Sequence, residues 1–203
     1  MKMIFFDTET TGLRPGNICQ LSYILVDTSI KPNKTIGKNI FFAVEYVEPS
    51  AESVHGFSVE YLRELSDGKS FKDSLKTFVD DFKTADILIG HNVNFDIKFI
   101  THEFTSCNEH FRPNHIFCTM NYYKTICKIL NNNGNYKNPR LEEVVKFLNI
   151  TSTQISDLSK KLFQGDGNFH DARFDTAATY LIVTEGIKKG YIPPKYFSKI
   201  AEN

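Results

Sequence analysis

The feature that most limits what this chain can become is the run Met3-Ile4-Phe5-Phe6, followed at once by Asp7-Thr8-Glu9. A short apolar run closed by polar residues and a glycine, here Gly12, reads as a buried strand. Side chains alternate along a strand, so Asp7 and Glu9 share a face, roughly 6–7 Å apart along it. Two carboxylates at the end of a core strand repel unless a cation stands between them or one takes up a proton. Hard divalent cations such as magnesium favour oxygen ligands of this kind. The strand therefore marks a candidate metal site that needs partners from elsewhere in the chain.

The rest of the sequence is ordinary enough to leave that site as the main clue. A chain of 203 residues suits one domain and buries roughly 70% of its unfolded surface. Lys plus Arg equals Asp plus Glu, at 24 each, so no global basic field exists and a nucleic-acid partner must be held by local contacts. The cysteines at 19, 107, 118 and 127 have no CxxC or other metal-type spacing and read as reduced packing residues of a cytoplasmic protein. No apolar run approaches the roughly 18 residues of a membrane helix, and Asp7 interrupts the N-terminal apolar stretch too early for a signal peptide. The expectation is a soluble intracellular protein without membrane association.

Taken in order, the turn Arg14-Pro15-Gly16-Asn17 leads into a branched apolar strand, Ile18–Asp27, and a third strand-like run covers residues 35–47. Short turns between the three imply an antiparallel meander. Phe71, Leu75, Phe78, Val79 and Phe82 then form one stripe of an amphipathic helix. Residues 85–90 read as a short buried strand, followed by a helix bearing Phe99, Ile100 and Phe104, and residues 116–118 as a last strand. Met120, Tyr123, Cys127 and Leu130 share a helical face, as do Leu141, Val144, Val145 and Leu148. The final helix starts at about Asp171, an N-cap residue, and ends near Gly186. A meander followed by strand–helix alternation predicts an α/β domain with a mixed sheet.

Three pieces now stand together: Asp7-x-Glu9, the stretch His91-Asn92-Val93-Asn94-Phe95-Asp96, and His170-Asp171-Ala172-Arg173-Phe174-Asp175. They resemble the three motifs of the DEDDh 3′–5′ exonucleases, the family of the bacterial DNA polymerase III epsilon proofreading subunit. FDTETTGL is similar to the first motif, GHNVNFDIKF to the second and HDARFD to the third. Val54-His55-Gly56-Phe57 and Asn138-Pro139-Arg140-Leu141-Glu142 resemble two smaller elements of the same family. The resemblance spans residues 3–186 and implies a ribonuclease H-like, mixed five-stranded sheet flanked by helices. It divides the chain into an exonuclease domain, 1–187, and a short C-terminal tail, 188–203. That tail is too short to resemble the long polymerase-binding extension of epsilon subunits.

By this resemblance Asp7, Glu9, Asp96 and Asp175 hold two divalent cations, Mg2+ or alternatively Mn2+, and His170 is the general base. Two ions roughly 3.5–4 Å apart suit phosphodiester hydrolysis, and a histidine of unperturbed pKa roughly 6.5 suits proton removal near neutrality. The implied product is a 5′-mononucleotide released from a 3′ end. Thr10, Thr11, Gly12 and Leu13 are implied contacts to the terminal nucleotide, with Leu13 also readable as plain core. His55, Asn92 and Phe95 are further pocket candidates, although packing explains His55 equally well and Phe95 better.

Singly, each acid has a simpler reading: Asp7 as a strand-end turn residue, Asp96 as a helix N-terminal acid favourable to the macrodipole, Asp175 as an exposed helix acid. Asp171, next to the base, is assigned to capping. An aspartic-protease reading fails on Asp-Thr-Glu. The expected substrate is single-stranded DNA, with proofreading as a role and a DNA polymerase as a partner. RNA, or service as a polymerase-associated binding module, are the alternatives.

Overall fold

The computed structural model of the protein describes residues 1–165 and 167–202. Five strands make one sheet: β1 (Lys2–Thr10), β2 (Ile18–Asp27), β3 (Lys34–Phe41), β4 (Ile87–Gly90) and β5 (His115–Cys118). Their spatial order is β3-β2-β1-β4-β5. β2 runs antiparallel to β1 and β3, whereas β4 runs parallel to β1 and to β5. The mixed five-stranded sheet expected from the sequence is present, with β1 at its centre.

Four short helices lie between β3 and β4: α1 (Pro49–His55), α2 (Val59–Leu65), α3 (Phe71–Ser74) and α4 (Val79–Lys83). α5 (Asn94–Ser106) connects β4 to β5, and α6 (Thr119–Cys127), α7 (Leu141–Phe147) and α8 (Ser152–Phe163) follow. α9 (Ala172–Lys188) is the longest helix among the described residues, and α10 (Tyr196–Ala201) closes the chain. Ile192 and Phe197, beyond α9, are buried in the core beside Phe117. No helix among the described residues is long and apolar enough to cross a membrane.

Alternation along β1 distributes the core to both faces. Ile4 and Phe6 pack with Phe82, Phe99 and Phe104 on the side of α4 and α5. Phe5 packs with Ala177, Ala178 and Ile182 of α9 on the other. The same alternation continues beyond the apolar residues. Asp7 and Glu9 follow Phe5 to the α9 face, and Thr8 follows Phe6 to the α5 face. β1 pairs with β4 only as far as Phe5↔Ile89, so its last residues stand at an open notch in the sheet. Helix N-termini face this notch from both sides.

Four expectations are corrected. The third strand ends at Phe41, not at residue 47: its last pair with β2 is Gln20↔Phe41, and the Ala43 amide turns away to the Lys69 carbonyl. Phe42, Val44 and Val47 are buried without belonging to a strand. The aromatic stripe from Phe71 to Phe82 is not one helix: α3 passes through a 3₁₀ turn, Leu75–Thr77, and Phe78 leaves helical geometry at φ −140° before α4. Edge-on packing among Phe71, Phe78, Phe82 and Phe104 keeps the stripe buried while the backbone adapts. Leu130 does not share the α6 face, since Lys128 caps that helix at φ 53° and Leu130 is exposed in a bridge to Tyr136. Leu13, readable as core, is 82% exposed.

Candidate metal centre and nucleotide cavity

The strand pattern brings Asp7 and Glu9 to the α9 face, and the first turn of α9 brings Asp175 to meet them. One carboxylate oxygen from each lies within 4.8 Å of the others. Asp96 arrives from the opposite side, in the first turn of α5. Its Oδ1 accepts hydrogen bonds from the Thr8 amide (3.1 Å) and the Thr8 hydroxyl (2.7 Å). Thr8 is thus a residue that sequence reasoning missed. Its amide sits on the stretch of β1 that β4 no longer covers, and Asp96 takes the place of the missing strand. The five motif residues therefore divide: Asp7, Glu9 and Asp175 make a close triad, Asp96 is held beside it by Thr8, and His170 stands at the rim.

Electrostatics give the cluster its chemical meaning. Desolvation pushes the Asp7 carboxyl well above the usual range, and the neighbouring charges of Asp96, Asp175 and Glu9 push it further. Glu9 is raised by desolvation and by Asp175. Desolvation likewise raises Asp175, against a lowering hydrogen bond from the His170 amide, and raises Asp96, against its bonds from Thr8. Every charge acting appreciably on Asp7 is another carboxylate. Asp175 Oδ1 is also buried with no hydrogen-bond partner among the described residues. A buried anionic oxygen without a donor is costly, and a hard divalent cation is the partner that satisfies oxygen donors of this kind. The residues fit such an ion.

His170 is exposed and its backbone is left-handed at φ 72°. Its amide donates to Asp175 Oδ2 at 3.2 Å. The next residue, Asp171, caps α9 as expected, accepting from the Arg173 amide at 3.0 Å, and is forked by the Arg173 guanidinium. Gln20, fully buried and opposite Glu9 in the β1–β2 register, donates to Asp171 Oδ1 (3.0 Å) and accepts from the Ala172 amide (3.1 Å). A single side chain therefore ties the start of α9 to the strand pair carrying the first motif. Nothing in the one-dimensional pattern marks Gln20, since it is a polar residue within an apolar strand.

A cavity of about 310 Å3 opens beside Glu9. Of the implied substrate contacts, Thr10, Gly12, Leu13, His55 and Phe95 line it, joined by Thr8 and by Ser50, Ala51 and Val54 of α1. Thr11 and Asn92 are not among the lining residues. Thr11 instead bonds to the Asn17 carbonyl, and Asn92 is exposed at φ 64°. His55 Nδ1 accepts from the Phe57 amide at 3.0 Å, so its proton lies on Nε2, which donates to the Thr10 carbonyl at 3.3 Å. Burial lowers its pKa, and the ring stacks on Phe57. This neutral histidine braces the first motif from α1. Phe95 packs on Phe99 and still reaches the cavity.

His91 serves the second motif in a similar way. Its Nε2 faces the Pro139 carbonyl and its Nδ1 the Thr119 hydroxyl, both at 3.0 Å. Burial pushes its pKa down from 6.5 to about 4. The unfolded chain then binds a proton that the native ring refuses, so stability is full above about 6.5 and falls as pH drops towards about 4. The loss attributable to His91 over that window is at most about 3 kcal/mol. The acidic cluster, with its raised pKa values, contributes the opposite sign. Urea unfolding of wild type and His91→Gln at neutral and mildly acidic pH isolates the histidine: the variant should lose less stability on acidification.

Comparison with known proteins agrees with this geometry. A family model described as "Exonuclease" (RNase_T) matches residues 4–183. The DNA polymerase III subunit epsilon of Buchnera aphidicola subsp. Schizaphis graminum is 29% identical over 125 residues, covering 59% of this chain and 52% of that protein. The chain spans about half the length of the curated relatives it matches. Exonuclease I from Methylocaldum szegediense superposes over 100% of this chain and 43% of its own, with a TM-score of 0.72 at 16% identity. The structure of E. coli exonuclease I in complex with a dT13 oligonucleotide superposes with a TM-score of 0.66 at 17% identity, over 92% of this chain and 41% of that one. These superpositions bear out the ribonuclease H-like fold. With a sequence match over nearly its whole length, the chain belongs to the RNase T-type exonuclease family.

Proposed function

We propose that the protein is a metal-dependent 3′–5′ exonuclease that releases 5′-mononucleotides from single-stranded DNA. The observation that carries this reading is the uncompensated triad of Asp7, Glu9 and Asp175 at the edge of a cavity of nucleotide-compatible size. Asp7, Glu9, Asp96 and Asp175 would hold two divalent ions, Mg2+ or alternatively Mn2+. When bound, such ions supply charge neutralisation at the phosphate and at the departing oxygen, and acidify water.

The protein's own residues do the rest. Thr8 fixes Asp96, and Gln20 fixes the start of α9 and with it Asp175. His170, exposed at the rim, takes the proton of the attacking water on an imidazole nitrogen. Phe95 and Val54 offer apolar surface to the terminal base, and Leu13, exposed at the mouth of the cavity, offers it to the base next to it. His55 holds the Thr10 carbonyl and so the ledge on which the terminal sugar rests.

DNA is favoured over RNA because the exonuclease I with the matching fold was crystallised on a dT13 oligonucleotide. The epsilon relatives make proofreading beside a DNA polymerase the corresponding cellular role. The four cysteines are all free thiols, which suits a reducing cytoplasm. The test is digestion of matched 5′-labelled DNA and RNA oligomers with magnesium. The expected result is a ladder shortened from the 3′ end of DNA with mononucleotide release. Faster loss of the RNA would transfer the assignment to an exoribonuclease. Silence on both with magnesium and manganese, together with co-purification of a polymerase, would favour a binding module.

A further inference from the structure

Leu13 stands at the tip of the loop formed by residues 12–17 and is 82% exposed, so packing does not hold it in place. The neck of the loop does. The Thr11 amide (3.0 Å) and hydroxyl (3.3 Å) both donate to the Asn17 carbonyl, closing the loop on itself. The outer side of that neck ends on a single acid. Glu103 Oε1 accepts from the Ile18 amide at 2.9 Å and from the Asn17 side-chain amide at 3.5 Å.

Glu103 is only 5% exposed and lies on α5, the helix whose first turn carries Asp96. Its spacing of seven residues from Asp96 is close to two helical turns, about 10.5 Å along the axis. Burying a carboxylate is unfavourable unless it is well hydrogen-bonded. The proposed hydrolysis gives Glu103 no chemical task, and an apolar residue would fill the same volume. What the acid supplies, and an apolar residue does not, is an acceptor for the first amide after the loop.

We propose that Glu103 is a positioning residue: it anchors the Leu13 loop to the helix that carries Asp96, and so fixes the ledge for the penultimate part of a bound strand relative to the hydrolytic centre. This rests on the exonuclease reading. The loop has no other link to α5 among the hydrogen bonds of the described residues. Release of Glu103 leaves the carboxylate cluster and the Thr11–Asn17 closure in place and removes the loop's tie to α5.

The test compares two substrates. A 5′-labelled single-stranded DNA oligomer engages both the cluster and the loop. Thymidine 5′-(4-nitrophenyl phosphate) has one nucleotide and lacks the second base that would bear on Leu13. Glu103→Met keeps the buried volume and removes the acceptor. It is expected to raise KM on the oligomer by about tenfold or more, the scale on which small misplacements act, with kcat/KM on the nitrophenyl ester within about twofold of wild type.

Glu103→Gln retains Oε1 as an acceptor and should restore the oligomer KM to near wild type. On the oligomer, Leu13→Ala combined with Glu103→Met should lose no more than Leu13→Ala alone. Equal losses on both substrates, no loss on either, or a glutamine variant as poor as the methionine would each overturn the proposal. Wild-type silence on both substrates would instead sink the exonuclease reading itself, so the two failures are distinguishable. If the methionine variant does not fold, Glu103→Ala, which also removes the acceptor, is read by the same criteria.

Discussion

Asp7→Asn should abolish hydrolysis while making the metal-free protein harder to melt. The two effects have one cause. The fold holds the Asp7 carboxyl above its usual range, by desolvation first and then by the charges of Asp96, Asp175 and Glu9. Near neutral pH the ionised form therefore weighs against the native state, and a neutral side chain of the same shape relieves it. A gain of about 1 kcal/mol corresponds to about 2–4 °C in a domain of this size. Loss of one proposed ligand and its charge is expected to lower kcat by about 10³-fold or more. Magnesium should reverse the order of stability: at about 100 times its dissociation constant it would add about 2.7 kcal/mol to wild type and much less to the variant. Calorimetry with and without the ion, beside the DNA digestion, measures all three quantities. A metal-free Asp7→Asn that melts below wild type would show that the cluster is not under charge strain.

The second large effect is expected at His170 and has the opposite signature. Its side chain is exposed and its backbone is left-handed at φ 72°, a conformation that asparagine tolerates better than most residues. His170→Asn therefore keeps the backbone and the amide bond to Asp175 while removing the proposed base. Activity should fall about 10²- to 10⁴-fold, the usual worth of general base catalysis. The melting temperature, and its rise on adding magnesium, should stay close to wild type. A loss of the magnesium response in this variant would assign His170 to holding the ion.

The sequence made the sheet and the acids readable for different physical reasons. β1, β2, β4 and α9 announce themselves by periodicity and by a capping aspartate, and Asp171 does cap as read. The acids are legible because a carboxylate at the end of an apolar run needs an explanation. What was not legible depends on contacts between distant segments. Thr8 holds Asp96, and Gln20 holds the start of α9, through bonds that no local pattern encodes. Two missed helices did leave local signs. α1 begins with Pro49 and stops at left-handed Gly56, and α8 starts with a Thr151–Gln154 capping box. Leu13 was ambiguous because exposure is a property of the closed loop and not of leucine.

The placement of the carboxylates also says something about when the site comes into being. Asp7 and Glu9 sit on the first strand, Asp96 on a helix in mid-chain and Asp175 on the last long helix, and it is Asp175 that completes the close triad. Pairings so far apart in sequence form late, because the chain between them must first be ordered. A growing or half-folded chain thus carries all the acids of the first motif without a cradle for an ion. The proposed capacity to cut would then belong to the folded molecule, conferred when α9 docks on β1, and a fragment ending before α9 is expected to lack it.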